Sequence, residues 1–347
     1  MAADSPVTSE GHEVGYHRMT AKSILNRAEL QRGLGFQWSI NPYRGCEFGC
    51  HYCYARYTHE FLELREAKDF EQKIFIKHNA ATLLEQELRS LPDGQAIAIG
   101  TATDPYQPIE RREQLTRSIL EVFANSRGSH RIGIVTKSVL ILRDLELLQR
   151  VADRHDLTVN LTITTDDISL ARKLEPRAPR PDLRFRAVRR LREAGIGVGV
   201  LCSPAMPGIN DSQPQLDRMA YLAAAAKASF FASGALFLKP SARQVFERFV
   251  SENFPHLLRD LQRRFALGAF QSRDYQATLD GRVQAACHRH GLQVRGENDL
   301  LASITDTLPA SLRPVAVPSR PQQTQLSFGG FVPASALVQP VRVARTA

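Results

Sequence analysis

Two hydrophobic periods alternate along most of this chain. Residues Ala80–Leu91 carry apolar positions at helical spacing and stop at the turn Pro92-Asp93-Gly94. From there, short apolar runs alternate with longer amphipathic stretches. Ala96–Thr101, Arg131–Thr136, Leu157–Thr164, Ile196–Cys202 and Phe230–Leu238 read as strands. Arg111–Asn125, Arg143–Arg154, the split pair Asp167–Leu174 with Arg184–Ala194, and Gln213–Lys227 read as the helices between them. Upstream, Phe36, Trp38 and Ile40 alternate with Gln37 and Ser39, which predicts a first strand at Phe36–Ile40. Tyr54–Arg65 carries helix formers, and Asp69–His78 reads as an extended insertion with Ile74 and Ile76 on one face.

Six strands separated by helices argue for parallel βαβ units. The units can close, or nearly close, into a barrel with its chemistry at the C-terminal strand ends, or lie open as a doubly wound sheet. Periodicity does not separate these two arrangements. The expected boundaries are an N-terminal arm over 1–34 with a short helix near Ala21–Leu30, a core over 35–239, a helical extension over 240–307 and a disordered tail over 308–347. The extension contributes helices at Ala242–Val250, Leu257–Arg264 and Asp274–His290, expected beside or beneath the barrel. The tail is rich in Pro, Ala, Gln, Ser and Val and has little period.

Composition changes this picture only modestly. A hydrophobic content of 43% with 23% charged residues is that of an ordinary soluble globular protein. No apolar run approaches a membrane span and the N-terminus is polar, so the cytoplasm is the expected compartment. Forty-five Lys and Arg against 36 Asp and Glu leave a net charge of +9. That balance favours a polyanion such as nucleic acid, and it equally suits a basic enzyme with no such partner.

The distinctive chemistry lies in one stretch, Asn41-Pro42-Tyr43-Arg44-Gly45-Cys46-Glu47-Phe48-Gly49-Cys50-His51-Tyr52-Cys53-Tyr54. Three of the five cysteines fall here with spacing C-x3-C-x2-C. A disulfide network does not suit three clustered cysteines. A structural zinc site would need His51 or His59 as a fourth ligand, and no second C-x-x-C pair accompanies it. A [4Fe–4S] cluster normally takes four cysteine ligands; with three, one iron is open to a non-protein ligand.

The C-x3-C-x2-C spacing with an aromatic residue before the last cysteine resembles the signature of the radical S-adenosylmethionine (SAM) superfamily. Asn41-Pro42-Tyr43-Arg44-Gly45-Cys46 followed by Cys53-Tyr54-Ala55-Arg56 is similar to the branch related to spore photoproduct lyase. The resemblance implies a partial (β/α)6 barrel with C-terminal helices, a [4Fe–4S] cluster on Cys46, Cys50 and Cys53, and SAM on the open iron. It also implies reductive cleavage of SAM to a 5′-deoxyadenosyl radical that abstracts a hydrogen atom, fed by an electron donor such as flavodoxin or ferredoxin.

The resemblance assigns roles to the strand ends. Thr101, Thr103 and Asp104 would receive the SAM amino group, with Tyr52 beside them in the cysteine loop. Lys137 would contact SAM at the third strand. Thr162 and Thr164, on one face with Asn160, would meet the ribose hydroxyls, and Arg177, with Arg184 second, the SAM carboxylate. The further basic residues within Arg172–Arg192 leave open a phosphate-facing patch. Spore photoproduct lyase carries a hydrogen-donating cysteine just after its second strand, and Gly100–Tyr106 contains none. Cys202 as donor and Tyr106 as radical relay are the substitutes this chain offers.

Action on a nucleic acid, either a DNA lesion or a base, is the leading expectation. The alternatives are radical modification of a peptide, cofactor or tRNA, and a non-catalytic zinc or iron–sulfur nucleic-acid-binding module. Cys287-His288-Arg289-His290 reads as structural rather than as a second metal site. Gln323-Thr324-Gln325-Leu326-Ser327-Phe328 resembles the Gln-x-x-Leu-x-Phe peptides that dock on sliding clamps.

Overall fold

The computed structural model describes residues 13–28, 35–64 and 66–295, all within one compact unit, Met1–Asp306. Among these residues the main sheet contains eight strands. β3 (Trp38–Ile40), β6 (Ala96–Ile99), β7 (Arg131–Thr136), β8 (Asp156–Thr162), β9 (Gly197–Leu201) and β10 (Phe230–Ala232) are parallel and neighbour one another in chain order. This is the sequential winding of a β/α barrel, and it supplies the six strands expected from the sequence. A short antiparallel strand, β2 (Asn26–Arg27), flanks β3, and β11 (Gln293–Val294) adds in parallel to β10. Among the described residues the two edges do not pair, so the barrel is partial.

Side-chain alternation sorts the sheet into two faces. Ile132, Ile134, Val159, Leu161, Val198 and Val200 join the core against the helices, together with Ile119, Phe123, Leu148, Val188, Leu191 and Leu216. The helices Leu115–Asn125, Leu145–Ala152, Pro181–Glu193 and Gln213–Ala225 carry that layer. The opposite face is closed by small or single large groups. The Phe230 ring occupies the space where Gly199 has no side chain, and a Cβ there would collide with it.

A second sheet orders β1 (Gly15–Met19), β5 (Lys73–Lys77) and β4 (Tyr43–Arg44). Here the structure corrects the reading of the arm. Residues 21–28 form no helix; Gly15–Met19 and Asn26–Arg27 are strands that brace the two sheets. Asn79 holds the intervening turn through paired bonds to the Ala21 backbone, and Glu87 accepts from the Ile24 and Leu25 amides. The insertion is also only partly extended, since Asp69–Gln72 form one helical turn before β5.

The C-terminal helices Pro240–Asn253, Leu258–Arg264 and Arg273–His290 fall close to their expected spans. Their placement is new information. Arg273–His290 packs on Gln213–Ala225, whereas Pro240–Asn253 packs on the 3-10 helix Tyr54–Leu62 and walls in the cysteine loop. The tail over 308–347 and its clamp-like peptide lie outside the described residues.

Candidate cluster and cofactor site

The cysteine loop leaves β3, pairs briefly as β4 and then turns on two glycines. Gly45 (φ +83°) passes so close to the Phe70 and Lys73 carbonyls that a Cβ would clash with both. Gly49 (φ +60°) faces the Arg177 guanidinium, which fills the space a Cβ would need. Arg177 Nε donates to the Glu47 carbonyl, and its guanidinium lies 3.4 Å from Glu71. Glu71 also pairs with the buried Arg56 at 3.0 Å, and Arg56 Nη2 donates to the Cys50 carbonyl. The loop is therefore clamped to two distant elements before any ligand is considered.

Cys46 and Cys50 are buried and Cys53 is half-buried, all three as free thiols. Burial pushes the Cys46 thiol well up, with Asp104 and the other two cysteines adding to the effect; burial pushes Cys50 up to about 12. Neighbouring thiols that inhibit one another's ionisation are what a cluster-binding loop presents before loading, since metal binding must displace their protons. Among the described residues no three His, Cys, Asp or Glu side chains meet as the donors of one mononuclear ion would. The histidines needed for zinc are engaged elsewhere: His51 stacks on Phe249 at 4.8 Å, and His59 Nε2 bonds the Lys73 carbonyl at 3.0 Å. Three thiols near enough to inhibit one another's ionisation fit a cluster that takes one thiolate at each of three irons.

The segment after β6 docks on this loop. Thr103 Oγ1 donates to the Gly45 carbonyl (2.5 Å), joined by Gln107 Nε2 (3.2 Å), while Gln107 Oε1 accepts from the Glu47 amide (3.0 Å). Asn41 bridges to the Thr101 hydroxyl and the Ala102 amide. The Asp104 carboxylate accepts from Thr136 Oγ1, the Lys137 amide and the Tyr106 amide, although burial still raises its pKa. Thr103 and Asp104 thus use their polar atoms to join the ends of β6 and β7 to the cysteine loop. Asn41 and Gln107 complete that seam; the sequence signalled Asn41 only as part of the motif and Gln107 not at all.

On the next strands, polar groups remain available. The Lys137 ammonium lies 5.6 Å from the Tyr52 ring and makes no hydrogen bond or ion pair among the described residues. Burial opposes its charge, but Cys50, Glu175 and Asp104 outweigh this and hold its pKa above the ordinary lysine value. Glu175 accepts from the Tyr52 hydroxyl, from Thr164 Oγ1 (2.8 Å) and from Arg184 (2.5 Å), and Arg184 also reaches the Thr162 and Pro179 carbonyls. Burial works to raise the Glu175 pKa, yet Arg184 and Lys137 hold it below the usual carboxylate value. One strand down, Asn160 is fully buried and both its amide oxygen and nitrogen lack partners. Its neighbours Val159 and Leu161 face the helices, so Asn160 and Thr162 face the lumen. Buried amides are rarely left unpaired, and this pair together with the Lys137 ammonium fits a polar, carboxylate-bearing guest such as SAM.

Three expected roles do not match the geometry. Cys202 is fully buried in the helix-side core, its thiol donates to the Thr164 carbonyl at 3.4 Å, and burial pushes it up to about 12. Tyr106 lies in that same core facing Asp144. Strand parity and the Pro105-Tyr106 turn direct both side chains away from the lumen, so neither is positioned as donor or relay. Arg177 clamps the cysteine loop, and Arg184 is neutralised by Glu175. Cys287 is likewise a core residue, bonded to the Phe231 carbonyl, and belongs to no metal-binding group among the described residues.

Comparison with known proteins bears on the family and the fold. The radical SAM superfamily model matches residues 40–220. An uncharacterized protein of Mycobacterium tuberculosis (strain H37Rv) is 32% identical over 272 residues, 78% of this chain and 79% of the relative. Another, from Methanocaldococcus jannaschii, is 27% identical over 238 residues, 69% of this chain and 83% of the relative. Among solved structures, a spore photoproduct lyase variant superposes with a TM-score of 0.60 at 15% identity, covering 81% of each chain. A second variant of that lyase, with bound SAM and a dinucleoside spore photoproduct, gives 0.59. The chain belongs to the radical SAM superfamily, and its cofactors are a [4Fe–4S] cluster and S-adenosylmethionine.

Proposed function

We propose that this radical SAM enzyme acts on a nucleic acid, at a lesion or at a base, with Cys46, Cys50 and Cys53 holding the cluster. The carrying observation is the mouth of the barrel. There the thiol loop, the unpaired Lys137 ammonium and the unpaired Asn160 amide open on one lumen in a chain of net charge +9. The correspondence with spore photoproduct lyase extends over four-fifths of both chains and supports a nucleic-acid substrate over a peptide.

When bound, the cluster and SAM supply one-electron chemistry that ends in removal of a hydrogen atom from the substrate. This chain's residues prepare the site. Lys137 holds a carboxylate as a point charge, Asn160 and Thr162 offer donors and acceptors to a hydroxylated sugar, and Tyr52, fixed by Glu175, forms a wall. Asp104 and Thr103 keep the strand ends and the loop in register, and Pro240–Asn253 excludes water from one side. The electron comes from a separate donor such as flavodoxin or ferredoxin, in the cytoplasm. Neither Cys202 nor Tyr106 returns the hydrogen.

Anaerobic reconstitution tests this reading. We expect about four irons per chain and 5′-deoxyadenosine formation under reductant. With deuterated DNA, RNA and peptide pools, deuterium should enter deoxyadenosine from DNA. Transfer from peptide alone would move the substrate to the peptide class, and one zinc with no SAM cleavage would end the enzymatic reading.

A further inference from the structure

The mouth of the barrel continues onto an aromatic surface that the cofactor site does not use. Tyr54 directly follows Cys53, and its hydroxyl donates to the Thr101 carbonyl at the end of β6. Its ring lies 4.9 Å from Phe237, which stacks on Phe270 at 5.5 Å with planes 20° apart. The row is exposed: Tyr54 by 36% and Phe270 by 69%. The Leu238 amide donates to the Ala269 carbonyl and fixes the Phe270 segment beside Phe237.

Topology gives the row its meaning. Tyr54 belongs to the connection after β3 and Phe237 to the connection after β10, the first and last of the six core strands. Among the described residues these strands do not pair with each other, so the row, in which the Tyr54 and Phe237 rings meet, spans the seam between them. Soluble proteins rarely expose contiguous aromatic rings without a partner for them. The partner's chemistry follows from shape and charge. Residues 239–273 carry seven Lys and Arg against three Asp and Glu, and Lys239 Nζ lies 3.3 Å from the Tyr57 ring centroid beside the row. Flat aromatic faces within a basic segment match a polymer with flat rings and an anionic backbone. An apolar peptide or a second copy of this basic chain would use the rings but not the charge.

The geometry points to Tyr54, Phe237 and Phe270 as a stacking platform for unpaired bases of the nucleic-acid substrate, holding the strand across the seam while one nucleotide enters the lumen. The inference rests on the nucleic-acid reading and adds the place of contact. Stacking of this kind is tolerant of base identity because every base presents a π face, so the platform selects for unpaired structure and leaves sequence unread.

The test uses the reconstituted full chain and a fluorescein-labelled single-stranded oligodeoxynucleotide, compared by anisotropy with the same strand made abasic. The wild type should bind the base-bearing strand more tightly. Phe270→Ala should weaken that binding by roughly tenfold without altering affinity for the abasic strand, and Phe270→Trp should restore it. Because Phe270 is mostly exposed, its replacement leaves the core intact. Equal wild-type affinity for the two strands, or wild-type behaviour of Phe270→Ala, would overturn the platform and leave nucleic-acid action standing. Binding to neither strand would overturn both. A fall in sedimentation mass on Phe270→Ala would assign the row to self-association instead.

Discussion

The two faces of β8 are buried alike and satisfied differently. Outward, Val159 and Leu161 are fully enclosed against the helices, and Ile163 continues their row. Inward, Thr158, Asn160, Thr162 and Thr164 are almost equally enclosed, but Asn160 leaves both polar atoms unpaired. Leaving a buried donor or acceptor unpaired costs about 1–3 kcal/mol. The outward face is finished by the protein's own side chains, whereas the inward face keeps an amide whose two polar atoms no protein group meets. The cysteines divide in the same way: Cys202 and Cys287 pack in the helix-side core, while Cys46, Cys50 and Cys53 stand at the mouth.

The strongest way to break that comparison is through the cysteines. Cys46→Ala, Cys50→Ala or Cys53→Ala should each abolish iron retention and SAM cleavage while the circular dichroism spectrum stays that of the folded chain. Cys202→Ala should keep its iron and lose only packing. Wild-type iron content in any of the first three, or loss of iron from Cys202→Ala, would dissolve the division.

Next in size is Glu175→Ala, which strips the carboxylate from a fully buried arginine. Removing one partner of such a pair costs about 3–5 kcal/mol, so the urea midpoint should fall sharply even before cofactor is added. An unchanged midpoint would mean that Arg184 finds water or another acceptor. Smaller, but opposite in sign for two readouts, is Asn160→Leu. Replacing an unpaired amide with an apolar group of similar size should raise the melting temperature of the cofactor-free protein. It should also weaken SAM binding to the loaded protein by roughly tenfold, the equivalent of one good hydrogen bond. If both readouts fall, Asn160 is structural.

These expectations mark what the sequence made legible. The six strands and most helices were readable because apolar periodicity reports directly which side chains meet the core. The cysteine spacing was readable because the metal-binding chemistry is local. The N-terminal arm was not: Gly15–Met19 becomes a strand only because it pairs with Lys73–Lys77, a long-range partner that no local propensity encodes. The fate of a polar group was equally hidden. Arg177 and Lys137 were both cationic candidates for SAM, yet Arg177 is spent on Glu47 and Glu71 across the fold, whereas the Lys137 ammonium makes no ion pair among the described residues. Cys202 and Tyr106 were misplaced by a single step of strand and turn parity.

The mouth of the barrel can finally be set against its base, where two histidines replace the thiols as the notable buried groups. His130 precedes β7 and His155 precedes β8, their rings parallel at 5.8 Å. His155 Nδ1 accepts from the His130 amide while Nε2 bonds the Phe123 carbonyl, so the ring is held neutral with both nitrogens in use. Burial lowers the pKa of each, and the neighbouring His155 further disfavours charge on His130. A histidine with a lowered folded pKa takes up its proton more readily in the unfolded chain. Stability should therefore be fully present above the unfolded value near 6.5 and decline as pH falls below it, by at most about 1.4 kcal/mol per pH unit for each proton. Urea titrations of the cofactor-free protein at neutral and mildly acidic pH should show that decline. His155→Gln should flatten it, although His130, His51 and His59, also lowered by burial, will keep a remainder. A wild-type slope in His155→Gln would take His155 out of the acid sensitivity and leave it to His130 and the histidines of the cysteine loop.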